Sequence, residues 1–171
     1  MSKKWIIAVA LVALFVPAAA FAGPAVVREY QLGRQLAAVR AATAKYQSVD
    51  AAIADGYVPT EHCIDGPDGG MGFHYLNPAL AGDLKNDPLK PELMIYAPSG
   101  DGKLKLVAVE YFQANAGQPR PTIMGQPFDG PMAGHEPGMP EHYDLHLWIW
   151  ANNPSGVFAP WNTSVSCKHA H

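Results

Sequence analysis

Charged residues are scarce in this 171-residue sequence, because Asp, Glu, Lys and Arg make up only 16% of it. About a quarter is usual, and the shortage argues against a coiled coil, a long helical bundle or a charge-driven disordered chain. No run of lysine or arginine occurs beyond the first four residues, and the formal net charge is −3. Since a nucleic-acid-binding protein needs a basic face, we expect no nucleic-acid partner.

Familiar catalytic motifs are also missing. The sequence contains no Gly-x-Ser-x-Gly of a hydrolase nucleophile elbow, no glycine-rich phosphate loop ending in Lys-Ser/Thr, and no His-Glu-x-x-His. What it contains instead is 49% hydrophobic residues together with 16 glycines and 16 prolines. This mixture predicts one compact domain with a single core and many turns.

The first 22 residues predict a signal peptide (residues 1–22) rather than part of the fold. Lys3 and Lys4 precede an apolar stretch, which ends in the small-x-small cleavage pattern Ala20-Phe21-Ala22. The stretch contains a proline and is short for a membrane span of about 20 residues. We therefore expect a mature chain of residues 23–171 that is periplasmic or secreted and has no membrane contact after cleavage.

The sequence has two cysteines, Cys63 and Cys167, and the predicted export decides how we interpret them. Disulfides form and persist in oxidising compartments, whereas a thiolate metal ligand or nucleophile would need free thiols there. We predict that Cys63 and Cys167 are joined in a disulfide.

Hydrophobic spacing predicts helices first and strands afterwards. Residues 26–46 fit a helix with an apolar stripe at Leu32, Leu36 and Val39. A second short helix should begin after Ser48 and end at Gly56. Four β-type runs bounded by turn residues follow: Phe73–Leu76, Glu92–Tyr96, Leu104–Phe112 and Tyr143–Trp150. The predicted fold class is α+β, a single domain in which N-terminal helices precede a curved antiparallel sheet. Residues 118–140, rich in Pro and Gly, should form a long ordered loop.

The run Glu141–Trp150 carries the strongest chemical signal. Side chains alternate along a strand, which predicts one apolar face and one mixed face. The mixed face should carry His142, Asp144, His146, Trp148 and Trp150. Because only one other residue of that face, Asp144, lies between His142 and His146, we predict that a single metal ion can bridge them.

Further donors complete a predicted metal site. Glu110 lies in an otherwise apolar strand, where a carboxylate is costly unless it is paired or bound to a cation. His74 lies between aromatic residues on another predicted strand. The predicted ligands are His74, Glu110, His142 and His146, with Asp144 and His135 as orienting partners. Imidazole with carboxylate suits zinc, copper, iron or manganese, and copper or zinc is the favoured ion.

Two alternatives stay open. Met132 and Met139 alternate with His135 and His142, a spacing that would favour copper through soft thioether ligands, although methionine more often fills gaps. The protein could instead be a non-catalytic periplasmic module that binds a small apolar ligand in an aromatic pocket around Trp148 and Trp150.

Two motifs carry a resemblance to other proteins. Residues 70–78 read GMGFHYLNP and residues 142–150 read HYDLHLWIW. They resemble exported bacterial proteins of uncharacterised function, over most of the mature chain. The resemblance implies export and transfers no activity.

Overall fold

The computed structural model describes residues 23–60 and 62–170, so the predicted signal peptide lies outside the described residues. Three α-helices and a 3₁₀ turn are found there: α1 (Pro24–Thr43), the turn Ala44–Gln47, α2 (Val49–Ala54) and α3 (Pro78–Ala81). The strands are β1 (Val58–Pro59), β2 (Ile64–Gly66), β3 (Gly69–Leu76), β4 (Leu93–Pro98), β5 (Leu104–Ala114), β6 (Thr122–Ile123), β7 (Gln126–Pro127), β8 (Asp129–Met132) and β9 (His142–Leu147). Within the described ranges, no helix is both long and apolar enough to cross a membrane.

The helical segment follows its predicted apolar stripe. Leu32 and Leu36 are half-buried and Val39 is fully buried, whereas the first turns of α1 are exposed. The Ser48 side chain accepts a hydrogen bond from the Ala51 N–H and caps α2, as its position in the sequence predicts. The helical segment contributes Val39, Tyr46 and Ala52 to the same buried core as strand residues such as Met94 and Val109.

The main sheet has seven strands in the order β1-β3-β4-β5-β9-β8, with β2 paired to the start of β3. All of these pairings are antiparallel. The predicted α+β class is confirmed. A turn at residues 99–102 joins β4 to β5, and Ser99 donates its N–H to the Lys103 carbonyl there.

The two faces of the sheet differ in content. The face toward the helices carries the main core, which includes Met94, Val109, Tyr111 and Leu145. The opposite face carries a smaller apolar cluster around Ile95 together with the buried histidines and Glu110. Alternation along β4, β5 and β9 thus separates a packed core from a polar site.

Trp150 does not share a face with His146, so that part of the prediction is wrong. The strand β9 ends at Leu147, and the Trp148 N–H turns away to the Val157 carbonyl. Alternation holds only while the backbone stays extended. Trp150 packs against the main core, and its Nε1–H donates to the Thr43 hydroxyl at 3.2 Å.

The predicted disulfide between Cys63 and Cys167 is confirmed, with the two Cα atoms 5.7 Å apart. It ties the segment before β2 to the C-terminal segment. The Cys167 N–H also donates to the Asp65 carboxylate at 3.2 Å.

Candidate metal centre

Three buried side chains from three strands converge on the polar face; we call them the inner site: His74 on β3, Glu110 on β5 and His146 on β9. Glu110 and His146 are direct partners in the β5–β9 register. Glu110 Oε2 lies 3.4 Å from His74 Nε2 and 3.8 Å from His146 Nε2. Ligand atoms bound to one ion at about 2.1 Å lie about 3–4 Å apart, so these spacings suit a shared ion.

The inner site is shielded from solvent and short of hydrogen-bond partners. His74, Glu110 and His146 are 8%, 5% and 3% exposed. Glu110 Oε2, both ring nitrogens of His146 and Nδ1 of His74 have no hydrogen-bond partner. Each buried unpaired polar group costs about 1–3 kcal/mol, and most such groups in native proteins are paired. The prediction that Glu110 is buried and faces the histidines is confirmed.

Burial also sets the protonation of these groups. It raises the pKa of Glu110 well above the usual range, and the carboxylates of Asp144 and Glu92 raise it further. Burial lowers the pKa of His74 to about 3 and also lowers the pKa of His146. Both imidazoles are therefore neutral near pH 7 and offer lone pairs to a metal ion.

A second group of donors, which we call the outer site, consists of His135, His142 and Asp144. His142 Nε2 lies 3.7 Å from Asp144 Oδ2, and its Nδ1 lies 3.0 Å from the Pro140 carbonyl. A carbonyl oxygen can only accept, so Nδ1 carries the proton. Burial alone would lower the pKa of His142, but Asp144 and the Pro140 carbonyl together raise it.

The predicted set of four ligands is therefore divided between two groups. The structure brings together His74, Glu110 and His146 but places His142 in the outer site. The two histidines of β9 are four positions apart, which is about 13 Å along a strand and too far for one ion. Parity correctly predicted that His142 and His146 share a face. The prediction that one ion bridges them is wrong. Asp144 and His135, expected to orient ligands, lie beside His142 as donors.

Both sites open into one cavity of about 830 Å³. Much of its wall is apolar, including Phe112, Trp161 and three methionines: Met71, Met132 and Met139. Of the described residues, no lysine or arginine lines it, whereas four carboxylate side chains do: Glu110, Asp129, Glu136 and Asp144. The electrostatics of the cavity therefore favour a cation over an anion.

Sequence reasoning missed Met71 and Asp129 as cavity residues. Strict alternation assigns Met71 to the face opposite His74, but Gly72 has a φ of +104° and interrupts the extended backbone. Asp129 pairs with Asp144 across β8 and β9, in a segment whose prolines and glycines give no strand periodicity. For Met71 the sequence offered one signal, Gly72, because a glycine inside a strand often marks an interruption of the extended backbone.

Comparison of the chain with protein-family models, with curated proteins and with solved structures gives no match.

Proposed function

We propose that this protein is an exported metal-binding protein that holds one transition-metal ion between His74, Glu110 and His146. The observation that carries the proposal is the convergence of three buried residues in which Glu110 Oε2 and His146 Nε2 have no hydrogen-bond partner. A cation bound between them would satisfy Glu110 Oε2 and the Nε2 atoms of both histidines together.

The donor set supports zinc or copper as the ion. Two imidazoles and one carboxylate suit these metals, whereas calcium and magnesium prefer oxygen ligands alone. Three protein ligands leave one position of a tetrahedral ion open, which is the arrangement of catalytic zinc sites. The cavity borders the inner site, so a small, largely apolar molecule could reach that position.

Export is part of the proposal and has its own support. The signal-peptide pattern precedes the described residues, and the disulfide between Cys63 and Cys167 suits an oxidising compartment. Amino-terminal sequencing of the protein recovered from the periplasm or medium should begin at Gly23. Recovery of uncleaved protein in the cytoplasm with two reactive thiols would contradict export.

The metal assay must use protein without a polyhistidine tag, because such a tag binds metal itself. We expect elemental analysis of the protein, dialysed against zinc or copper, to detect tightly bound metal. The double variant His74→Ala/His146→Ala should lose the inner ion, whereas His169→Ala, an exposed histidine outside both sites, should keep it. Equal metal content in the double variant and the wild type would refute the inner site.

A second candidate function is binding of a small apolar ligand without metal. A groove of about 500 Å³ beside α1 is lined by Trp148 and Trp150, which favours this alternative. Arg40 lies 4.7 Å from the Trp150 ring centroid and fills part of the groove. Quenching of tryptophan fluorescence by an apolar probe, unchanged in His74→Ala/His146→Ala, would support this function, and a metal-free wild type would favour it over the first.

A further inference from the structure

The geometry of the outer site is that of a metal site rather than of an ordinary ion pair. The 3.7 Å between His142 Nε2 and Asp144 Oδ2 exceeds the usual hydrogen-bond range of about 2.7–3.2 Å but matches the spacing of two ligands on one ion. The Pro140 carbonyl accepts from His142 Nδ1, as a backbone carbonyl commonly does behind a metal-bound histidine. With the proton on Nδ1, neutral His142 presents the lone pair of Nε2 to Asp144. His142 also stacks on Phe112, with ring centroids 5.0 Å apart, which fixes the ring plane.

The third donor, His135, is held in place by a tightly folded loop. A Cβ atom on Gly134 would lie within 3.0 Å of the Met139 carbonyl, so the two backbone segments are in direct contact. The Met139 N–H donates to the Glu136 carbonyl at 3.0 Å and closes the turn. These contacts bring the His135 ring to 5.3 Å from the His142 ring, in an edge-to-face arrangement.

The two sites differ in access to solvent. All three inner donors are buried, whereas His135 is exposed on its loop. From this geometry we infer that the outer site binds a second transition-metal ion, which exchanges with solvent faster than an ion at the inner site. The inference does not depend on the proposed function, because the two sites share no ligand.

Zinc is the probe for the test, with two or more equivalents added to untagged protein. We expect wild type to retain two ions per chain and a competing chelator to remove them in two kinetic phases. His135→Ala should bind one ion and lose the fast phase, without harm to the fold, because His135 is exposed. His169→Ala, also exposed, should retain both phases, and His146→Ala should lose only the slow phase.

A second variant tests the loop while it leaves every donor in place. Gly134→Ala should push the backbone at residue 134 away from Met139 and move His135. Binding of the fast-exchanging ion should then be weakened or abolished. Gly100→Ala is the matched control, because a Cβ atom there meets nothing within 4 Å. Both variants should retain the slow phase.

The outcomes separate this inference from the proposed function. If wild type binds one ion that only His146→Ala removes, the outer site is refuted and the inner site stands. If wild type binds one ion that only His135→Ala removes, the outer site stands and the proposed function fails. Two ions retained in both His135→Ala and Gly134→Ala would overturn the inference, because neither ion would then use the loop.

Discussion

Replacement of Glu110 by methionine should change stability in opposite directions with and without metal. The substitution removes a buried carboxylate whose Oε2 has no hydrogen-bond partner, and it puts an apolar side chain of similar length in the same place. The metal-free protein should therefore become more stable. The metal-bound protein should lose the stabilisation that the ion supplies, because one of its three ligands is gone.

The size of both effects follows from the burial of the site. Relief of one buried unpaired polar group contributes about 1–3 kcal/mol to the free energy of unfolding. In a chain of this size each kcal/mol shifts the Tm by about 2–4 °C, so the metal-free variant should melt about 2–12 °C higher. A ligand present at 100 times its Kd adds about 2.7 kcal/mol, or about 5–11 °C, and only wild type should gain it.

The assay is thermal unfolding of chelator-treated protein with and without added zinc. Glu92→Met is the matched control, because Glu92 is also a buried carboxyl group but accepts hydrogen bonds from the Phe112 N–H at 3.1 Å and Asn86 Nδ2 at 3.3 Å. It should lower the Tm by leaving a buried donor unpaired, and zinc should still stabilise it. If Glu110→Met destabilises the metal-free protein as Glu92→Met does, and zinc raises its Tm as in wild type, Glu110 is a structural residue and the reasoning fails.

Three further predictions address the surroundings of the site. Burial raises the pKa of Glu92 from 4.5 to about 8, so the folded state binds this proton more tightly than the unfolded state. Its favourable contribution is complete below about pH 4.5 and is lost as the pH rises through about 8, and urea unfolding should find Glu92→Gln more stable than wild type above pH 8. The double variant Cys63→Ser/Cys167→Ser opens a loop spanning 104 residues and should lower the free energy of unfolding by about 4–5 kcal/mol, as urea titration without reductant can measure. Gly72→Ala forces a side chain onto a φ of +104° and places its Cβ atom 2.5 Å from the Tyr96 carbonyl oxygen, so we expect a loss of about 1–3 kcal/mol and weaker retention of zinc in equilibrium dialysis.

Alternation of side chains was enough to predict much of the sheet from the sequence. The apolar face of β9 predicted that His142 and His146 both point to the opposite side of the sheet, and the structure agrees. The same rule failed at Trp150, because the sequence continues to alternate after the strand has ended at Leu147. Periodicity reports the pattern of residues, whereas the end of a strand depends on where its backbone hydrogen bonds go.

Long-range strand pairing was the part that the sequence could not supply. The outer site exists because Met132 on β8 pairs with His142 on β9, which brings the loop containing His135 over the sheet. Sequence analysis predicts that residues 118–140 form a loop, whereas the structure contains three short strands there. The prolines and glycines of this segment give no strand periodicity. Tertiary contacts create strand pairing there, and no local pattern of residues encodes it.

The contrast between the buried carboxyl groups supports a cation as the missing partner of the inner site. Glu92 has two hydrogen-bond donors, one from the backbone and one from Asn86. Asn77, another buried polar side chain, donates to the Asp55 carbonyl and accepts from the first turn of α3. The fold therefore satisfies buried polar groups where they serve structure alone. At the inner site it places four donor and acceptor atoms together without partners, although each costs about 1–3 kcal/mol if nothing binds there. An ion that contacts Glu110 Oε2 and His146 Nε2 pairs two of these four atoms at once, whereas a proton on Oε2 cannot bridge the 3.8 Å to His146 Nε2 as a hydrogen bond.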